Sequence, residues 1–325
     1  MVQPPGTRRG VGWLILCRYA GSRQHIRGSN KASSVQMVSK RRLYMEKTLK
    51  KYFVIFTVPT IIAFTFAFIA PFVMGVYLSF CKFNTIKNAT WVGLENYKAV
   101  FASNSGFVSA LLFTTLFTLV AIITINIFAF GIALLLTRKM KGTNLFRTIF
   151  FMPNLIGGIV LGYTWQQMIN AVLLKYETTI VSNAKFGFWG LVLLINWQMI
   201  GYMMIIYIAG LQNVPTELIE AAKIDGATKG QTLFRVTIPM VMPSITICMF
   251  LTLSNSFKLF DQNLALTNGA PMNKTQMLAL NIYSTFYGRA GSEGIGQAKA
   301  VIFFIIVALI ALVQLRATRS KEVQQ

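Results

Sequence analysis

The hydrophobic positions of this chain are gathered in long runs almost free of Asp, Glu, Lys and Arg, and the charged residues are confined to the intervals between them. Six runs stand out, at 52–80, 107–137, 148–170, 188–211, 236–257 and 297–315. Crossing a bilayer takes about 20 apolar residues, so each run predicts a transmembrane helix. Strands buried on both faces are excluded by the length of the runs, their Leu, Ile, Phe and Ala content and the lack of a period of two. The sixth run is the shortest, because its charge-free part begins only after Lys299, whose side chain would have to snorkel to the interface. Pro59, Pro71 and Pro153 lie inside or near the ends of runs and predict kinks.

Lys and Arg near span ends are retained on the cytoplasmic side. Twelve of them precede the first run up to Lys51, and Arg138, Lys139, Lys141 and Arg147 crowd the interval between the second and third. Both intervals are predicted inside. Lys258, Lys274 and Arg289 are spread thinly over the interval after the fifth run, as suits an external segment, and an even helix number returns Arg316, Arg319 and Lys321 to the cytoplasm. Both termini are therefore expected on the cytoplasmic side of a cell membrane.

Composition agrees with a membrane protein: 54% of the 325 residues are hydrophobic, 12% are charged, and the mean hydropathy is +0.57. The net charge of +22 follows largely from topology, with attraction to the membrane surface added, and is no argument for nucleic-acid binding. Metal and acid–base catalysis have little to work with. The lone His25 sits in a basic, Ser-rich stretch, and Cys17, Cys81 and Cys248 have neither zinc nor disulfide spacing. All three read as unpaired small apolar residues.

Residues 1–44 carry nine positive charges and no acid, and read as a disordered basic extension. Their short apolar patch Val11–Cys17 is ended at once by Arg18, so it is not a signal peptide. The compact basic lead Met45–Lys51 suggests that translation starts at Met37 or Met45, which an intact mass would test. Beyond it the expected organisation is a first span and external loop at 45–106, a transmembrane core at 107–316 and a tail at 317–325.

The loop at 213–238, between the fourth and fifth runs, is unusual. Pro215 suits a first helical turn, Glu217 favours the positive end of the helix dipole, and Gly226 can take the left-handed conformation that stops a helix. A second helical piece is predicted from about Thr228. Ala221 and Ala222 leave one flank smooth for entry into a cleft of another protein, and Glu220 and Asp225 offer carboxylates for pairing. The plainer alternative is a surface helix resting on lipid headgroups.

Glu220, Ala221, Ala222, Asp225, Gly226 and Ala227, with Phe234, Pro239 and Pro243 downstream, resemble the EAA signature of permease subunits of bacterial ABC importers. Ile224 to Ala227 and the segment Phe260, Asp261, Gln262 through Leu266 to Pro271 are similar to the carbohydrate group of that superfamily, the maltose and glycerol phosphate type. Phe146 to Asn154 and Val92 to Tyr97 agree, so the resemblance covers roughly Lys51 to Arg319. Gly230, where many relatives carry Trp, and Ala270, where a second Gly is usual, depart from it.

The resemblance implies an all-α, six-span type I importer permease. It further implies a second homologous permease, two ATP-binding subunits and an extracytoplasmic sugar-binding protein. The helix around Glu220 to Gly226 would sit in a groove of one ATPase, which would use ATP and Mg. The permease itself would bind no cofactor and hydrolyse nothing, and the chain has no GxxxxGK[ST] loop.

Sugars are bound by aromatic stacking and by amide and hydroxyl groups. Trp165 and Gln166 in the third run, Asn196, Trp197 and Tyr202 in the fourth, and Asn255 in the fifth are the leading candidates for a substrate path, followed by Tyr163, Gln167, Gln198 and Ser254. Interfacial anchoring of Trp and Tyr, and helix ties through Asn and Gln, are the competing roles. Trp91 and Tyr97 read as part of an interfacial amphipathic segment. A carrier driven by an ion gradient is the rival function, but carriers generally place ionisable groups within the membrane. Here only Asp261 comes near one. A membrane enzyme acting on lipid-linked sugars would want paired carboxylates or a metal, and Glu217, Glu220 and Asp225 lack His or Cys neighbours.

Overall fold

The computed structural model describes residues 52, 53, 55, 57–138, 141–288 and 290–319. The basic extension, Cys17, His25 and residues 320–325 of the tail lie outside the described residues. The chain divides into two compact units, one ending at Phe72 and the other beginning at Val73.

Helix α1 (Thr57–Leu78) is the first span. Within the first unit it carries a π turn at Thr65–Ile69, where the Ala70 N–H reaches back to the Thr65 carbonyl. The turn directly precedes Pro71, so the disturbance expected of a residue without an N–H takes the form of a π turn. Phe64, Phe68 and Phe72 stack along one side, with ring centroids 5.2 and 6.4 Å apart. Pro59 lies within the helical stretch, whose described residues reach back to Tyr52.

The second unit is organised around α6 (Ala184–Gln212), whose most apolar stretch is 67% buried, against 28% for α3 (Phe107–Leu136) and 17% for the terminal helix. Ala121, Ile125, Ala129 and Ala133 form a stripe of α3 at helical spacing, and the small side chains let it lie close along α6. On α6, a Cβ at Gly201 would overlap the Phe150 carbonyl of α4 (Thr143–Phe151). Polar ties cross these apolar faces. Tyr207 Oη donates to Asn126 Oδ1 (2.7 Å), and Asn126 Nδ2 reaches Thr252 Oγ1 (3.3 Å) on α9 (Met242–Phe257). Cys81 and Cys248 are buried and free, as the sequence suggests.

The third and fifth runs are not the continuous helices predicted at 148–170 and 236–257. Residues Thr143–Leu155, which include α4, and Gly158–Tyr176, which include α5 (Gly158–Leu173), are bent by 100°, with Pro153 in the 3₁₀ turn Met152–Leu155 at the break. Residues Lys229–Met240 and Met242–Phe257 are bent by 71°, between Pro239 and Pro243, each in the first turn of a helical piece. With each bent pair counted as one span, the described residues hold up to six.

The segments joining the spans have structure of their own. Strands β1 (Cys81–Lys82) and β2 (Thr90–Trp91) form a hairpin, followed by α2 (Glu95–Val100). Asn96 is buried, and its Nδ2 donates to the Ser79 and Cys81 carbonyls (both 2.9 Å), while the Tyr97 and Ser79 hydroxyls are 2.7 Å apart. Asn96 and Tyr97 thus fasten the hairpin, and only Trp91 keeps the exposure of an interfacial residue. After α9 come α10 (Asp261–Leu266), α11 (Leu278–Gly288) and the last span, α12 (Glu293–Arg319). Lys299, in the second turn of α12, does not snorkel. It is 1% exposed, and its Nζ donates to Ser105 O, Asn281 Oδ1 and Thr285 Oγ1, each at 2.8 Å.

Candidate coupling loop and solute cavity

The loop after α6 folds into two short helices held by strictly local bonds. Pro215, extended at φ −59° and ψ 130°, stands immediately before α7 (Thr216–Ile224) rather than within it. Asp225 caps the helix and Gly226 turns left-handed at φ +77°. Ala227 N–H donates to Ala222 O (2.9 Å) and Gly226 N–H to Lys223 O (3.1 Å), the paired bonds of a Schellman turn. Thr228 then caps α8 (Lys229–Met240) with a capping box. Gln231 N–H donates to Thr228 Oγ1 (3.3 Å), and Thr228 N–H to Gln231 Oε1 (2.8 Å).

This turn displays its chemistry outward. Glu220, Ala221, Asp225 and Gly226 are exposed, whereas Ala222, Ala227 and Pro239 are half-buried. Ile224 is 85% and Phe234 70% exposed, and Leu218 is also exposed. Ile224 opens the run whose resemblance was read in the sequence, and Leu218 is an addition that only its hydrophobicity in an otherwise polar loop could have signalled.

A polar cavity of about 450 Å³ opens where two chain breaks converge, the one before α5 and the one between α9 and α10. Asn154, Gln198, Asn255, Lys258, Asp261 and Gln262 supply its polar lining. Gln198 is buried and links both breaks: its Oε1 accepts from Gln262 Nε2 (2.8 Å), and its Nε2 donates to Ile156 O (3.4 Å). Irregular backbone at membrane depth is tolerated where it lines such a cavity. Close packing holds the walls together, since a Cβ on Gly158 or Gly162 would come within 2.8 Å of Asp261 Cβ and 2.7 Å of Ala265 Cβ.

Of the six leading path residues, Asn255 lines this cavity and the other five do not. Asn196 is buried between α3 and α6, its Nδ2 donating to Thr124 Oγ1 (2.9 Å) and Val192 O (2.8 Å). Gln166 donates to Leu266 O (2.8 Å) and so ties α5 to α10. Trp165 meets Trp197 edge-on at 5.6 Å, with Trp197 44% exposed, and Tyr202 packs against the core. Asn154 and Gln262 figured in the sequence only in the resemblance and Lys258 only in the topology, none of them as a path residue. They sit at helix breaks, which hydropathy does not register.

Residues 141–319 match the family model of the binding-protein-dependent transport system inner membrane component. The chain belongs to that family. The permease is 43% identical over 83% of its length, and 94% of the relative's, to the probable starch degradation products transport system permease protein AmyD of Thermoanaerobacterium thermosulfurigenes. To the multiple sugar-binding transport system permease protein MsmF of Streptococcus mutans it is 31% identical, covering 86% and 99% of the two chains. Among solved structures, a bacterial ABC transporter involved in import of the acidic polysaccharide alginate superimposes with a TM-score of 0.71 at 19% identity, covering 85% of the permease and 98% of that chain. The permease therefore has the type I importer fold, and it is a membrane transport component rather than an enzyme.

Proposed function

We propose that this permease is one half of the translocation pathway of an ATP-driven, binding-protein-dependent carbohydrate importer in a bacterial cell membrane, with both termini in the cytoplasm. A second homologous permease would complete the pathway, and an extracytoplasmic sugar-binding protein would deliver the solute. Two ATP-binding subunits would dock at the loop 213–238 and use ATP and Mg. The observation that carries this reading is the turn from α7 to α8, where Glu220, Asp225, Ile224 and Phe234 stand exposed around Gly226 on a locally fixed scaffold. The names of the sugar-transporting relatives support a carbohydrate solute. The cavity of Asn255, Gln198 and Gln262 supplies amides for its hydroxyls, and the Trp165–Trp197 pair supplies an aromatic face on a separate surface.

The test is to purify the tagged chain gently from its native membrane and identify what accompanies it. An ATPase and a second permease should co-purify, and Asp225→Lys should lose the ATPase while keeping the second permease. Recovery of the chain alone, with uptake that survives ATP depletion and collapses with the ion gradient, would refute the importer.

A further inference from the structure

Lys299 is a full charge placed where the fold needs only hydrogen bonds. Its three N–H groups are satisfied by a backbone carbonyl before α3, an amide and a hydroxyl of α11, all neutral. A buried ammonium without a counter-charge costs several kcal/mol, and neutral acceptors answer its hydrogen bonds but not its field. A glutamine could make part of the same tie without that cost. The charge itself therefore calls for an explanation.

The field of Lys299 emerges into a second polar cavity, of about 530 Å³, which Lys299 helps to line. Asn104, Asn273, Gln276, Ser284 and Ser292 add donor groups to its wall, and among the described residues no Asp or Glu lines it. The nearby Glu293 is turned to the Gly291 N–H (2.6 Å). A positively charged hole ringed with amide and hydroxyl donors suits a carboxylate. Next in sequence to the lining residue Asn273, Met272 is 81% exposed, in a loop where Asn268, Met272 and Asn273 all have positive φ. An apolar knob next to a charged socket fits a protein partner better than a small anion.

We propose that this cavity receives an acidic side chain of the extracytoplasmic binding protein, with Lys299 as the buried counter-charge. The proposal rests on the importer reading, which puts the segments before α3 and around α11 on the outer face.

The test uses the complete importer in proteoliposomes, with ATP hydrolysis followed against the concentration of its binding protein. Asn104→Asp and Ser292→Asp place a fixed carboxylate in the socket and should raise the half-saturating concentration about tenfold, equivalent to about 1.4 kcal/mol. This effect should exceed any change in the maximal rate. Lys299→Gln should act in the same direction and flatten the dependence on salt, and the two wall variants decide the matter if Lys299→Gln does not assemble. Unchanged half-saturation in both wall variants overturns the proposal and leaves the importer standing. An effect that follows the sugar rather than the binding protein also overturns it. Failure of the binding protein to stimulate the wild-type complex overturns both.

Discussion

Gly226 offers the most direct test of the turn between α7 and α8, because the cost of replacing it can be assigned to one cause. Nothing lies within 4 Å of a Cβ built there, so the Cβ itself meets no clash, and the penalty it carries comes from φ +77°. Left-handed backbone costs an L-residue about 1–2 kcal/mol, with a β-branched residue at the upper end. Gly226→Val must either carry that strain or give up the bonds from Gly226 and Ala227 back to Lys223 and Ala222, which lets α7 swing relative to α8. Purified ATP-binding subunits titrated onto the permease pair in proteoliposomes should then show a half-saturating concentration raised about tenfold, since about 1.4 kcal/mol is a factor of ten. Uptake should fall with it. Gly226→Asn should stay close to wild type, because Asn visits this conformation readily. If Val binds the ATPase as tightly as Gly, or Asn is as harmful as Val, the turn does not set the docking geometry.

Other substitutions probe the packing and the cavity. Gly201→Ala drives a Cβ into the Phe150 carbonyl and should destabilise the chain by about 1–3 kcal/mol, seen as earlier thermal unfolding in detergent. Tyr207→Phe removes the donor to Asn126 and should cost about 0.6 kcal/mol, measurable in the same assay, with uptake preserved. Asn255→Ala should raise the sugar concentration needed for half-maximal uptake while the complex still assembles, and an unchanged concentration dependence would remove Asn255 from the path. Trp197→Ala, which leaves the cavity intact, separates the two candidate surfaces: a larger effect than that of Asn255→Ala would move the path to the Trp165–Trp197 face.

The residues that could be read correctly in the sequence are those whose partners are close by. The stop at Gly226 and the restart at Thr228 depend on Ala222, Lys223 and Gln231, all within a few positions, so pattern alone located the turn. The spans were equally legible, because hydropathy sums over a window. It carries no direction, however, and the bends of 100° and 71° fall inside apolar sequence where only Pro153, Pro239 and Pro243 hint at them. Lys299 counted against its span, since the oxygens that hold it come from Ser105, Asn281 and Thr285, in separate segments. Asn196 and Gln166 illustrate the same limit. Their polarity in a span was plain, but whether it serves a solute or a neighbouring helix depends on Thr124 and Leu266, which no local pattern brings near.

Helix α9 begins at the 71° bend that follows α8 and ends beside Asn255 and Lys258 in the cavity. Its 16 residues make a rod about 24 Å long at about 1.5 Å per residue. Pivoted at Val241, a rod of that length turns a rotation of about 5° into a displacement of about 2 Å at the far end, roughly the difference between making and losing a hydrogen bond to a sugar hydroxyl. A small tilt imposed at the loop would thus be enough to change what Asn255 can hold.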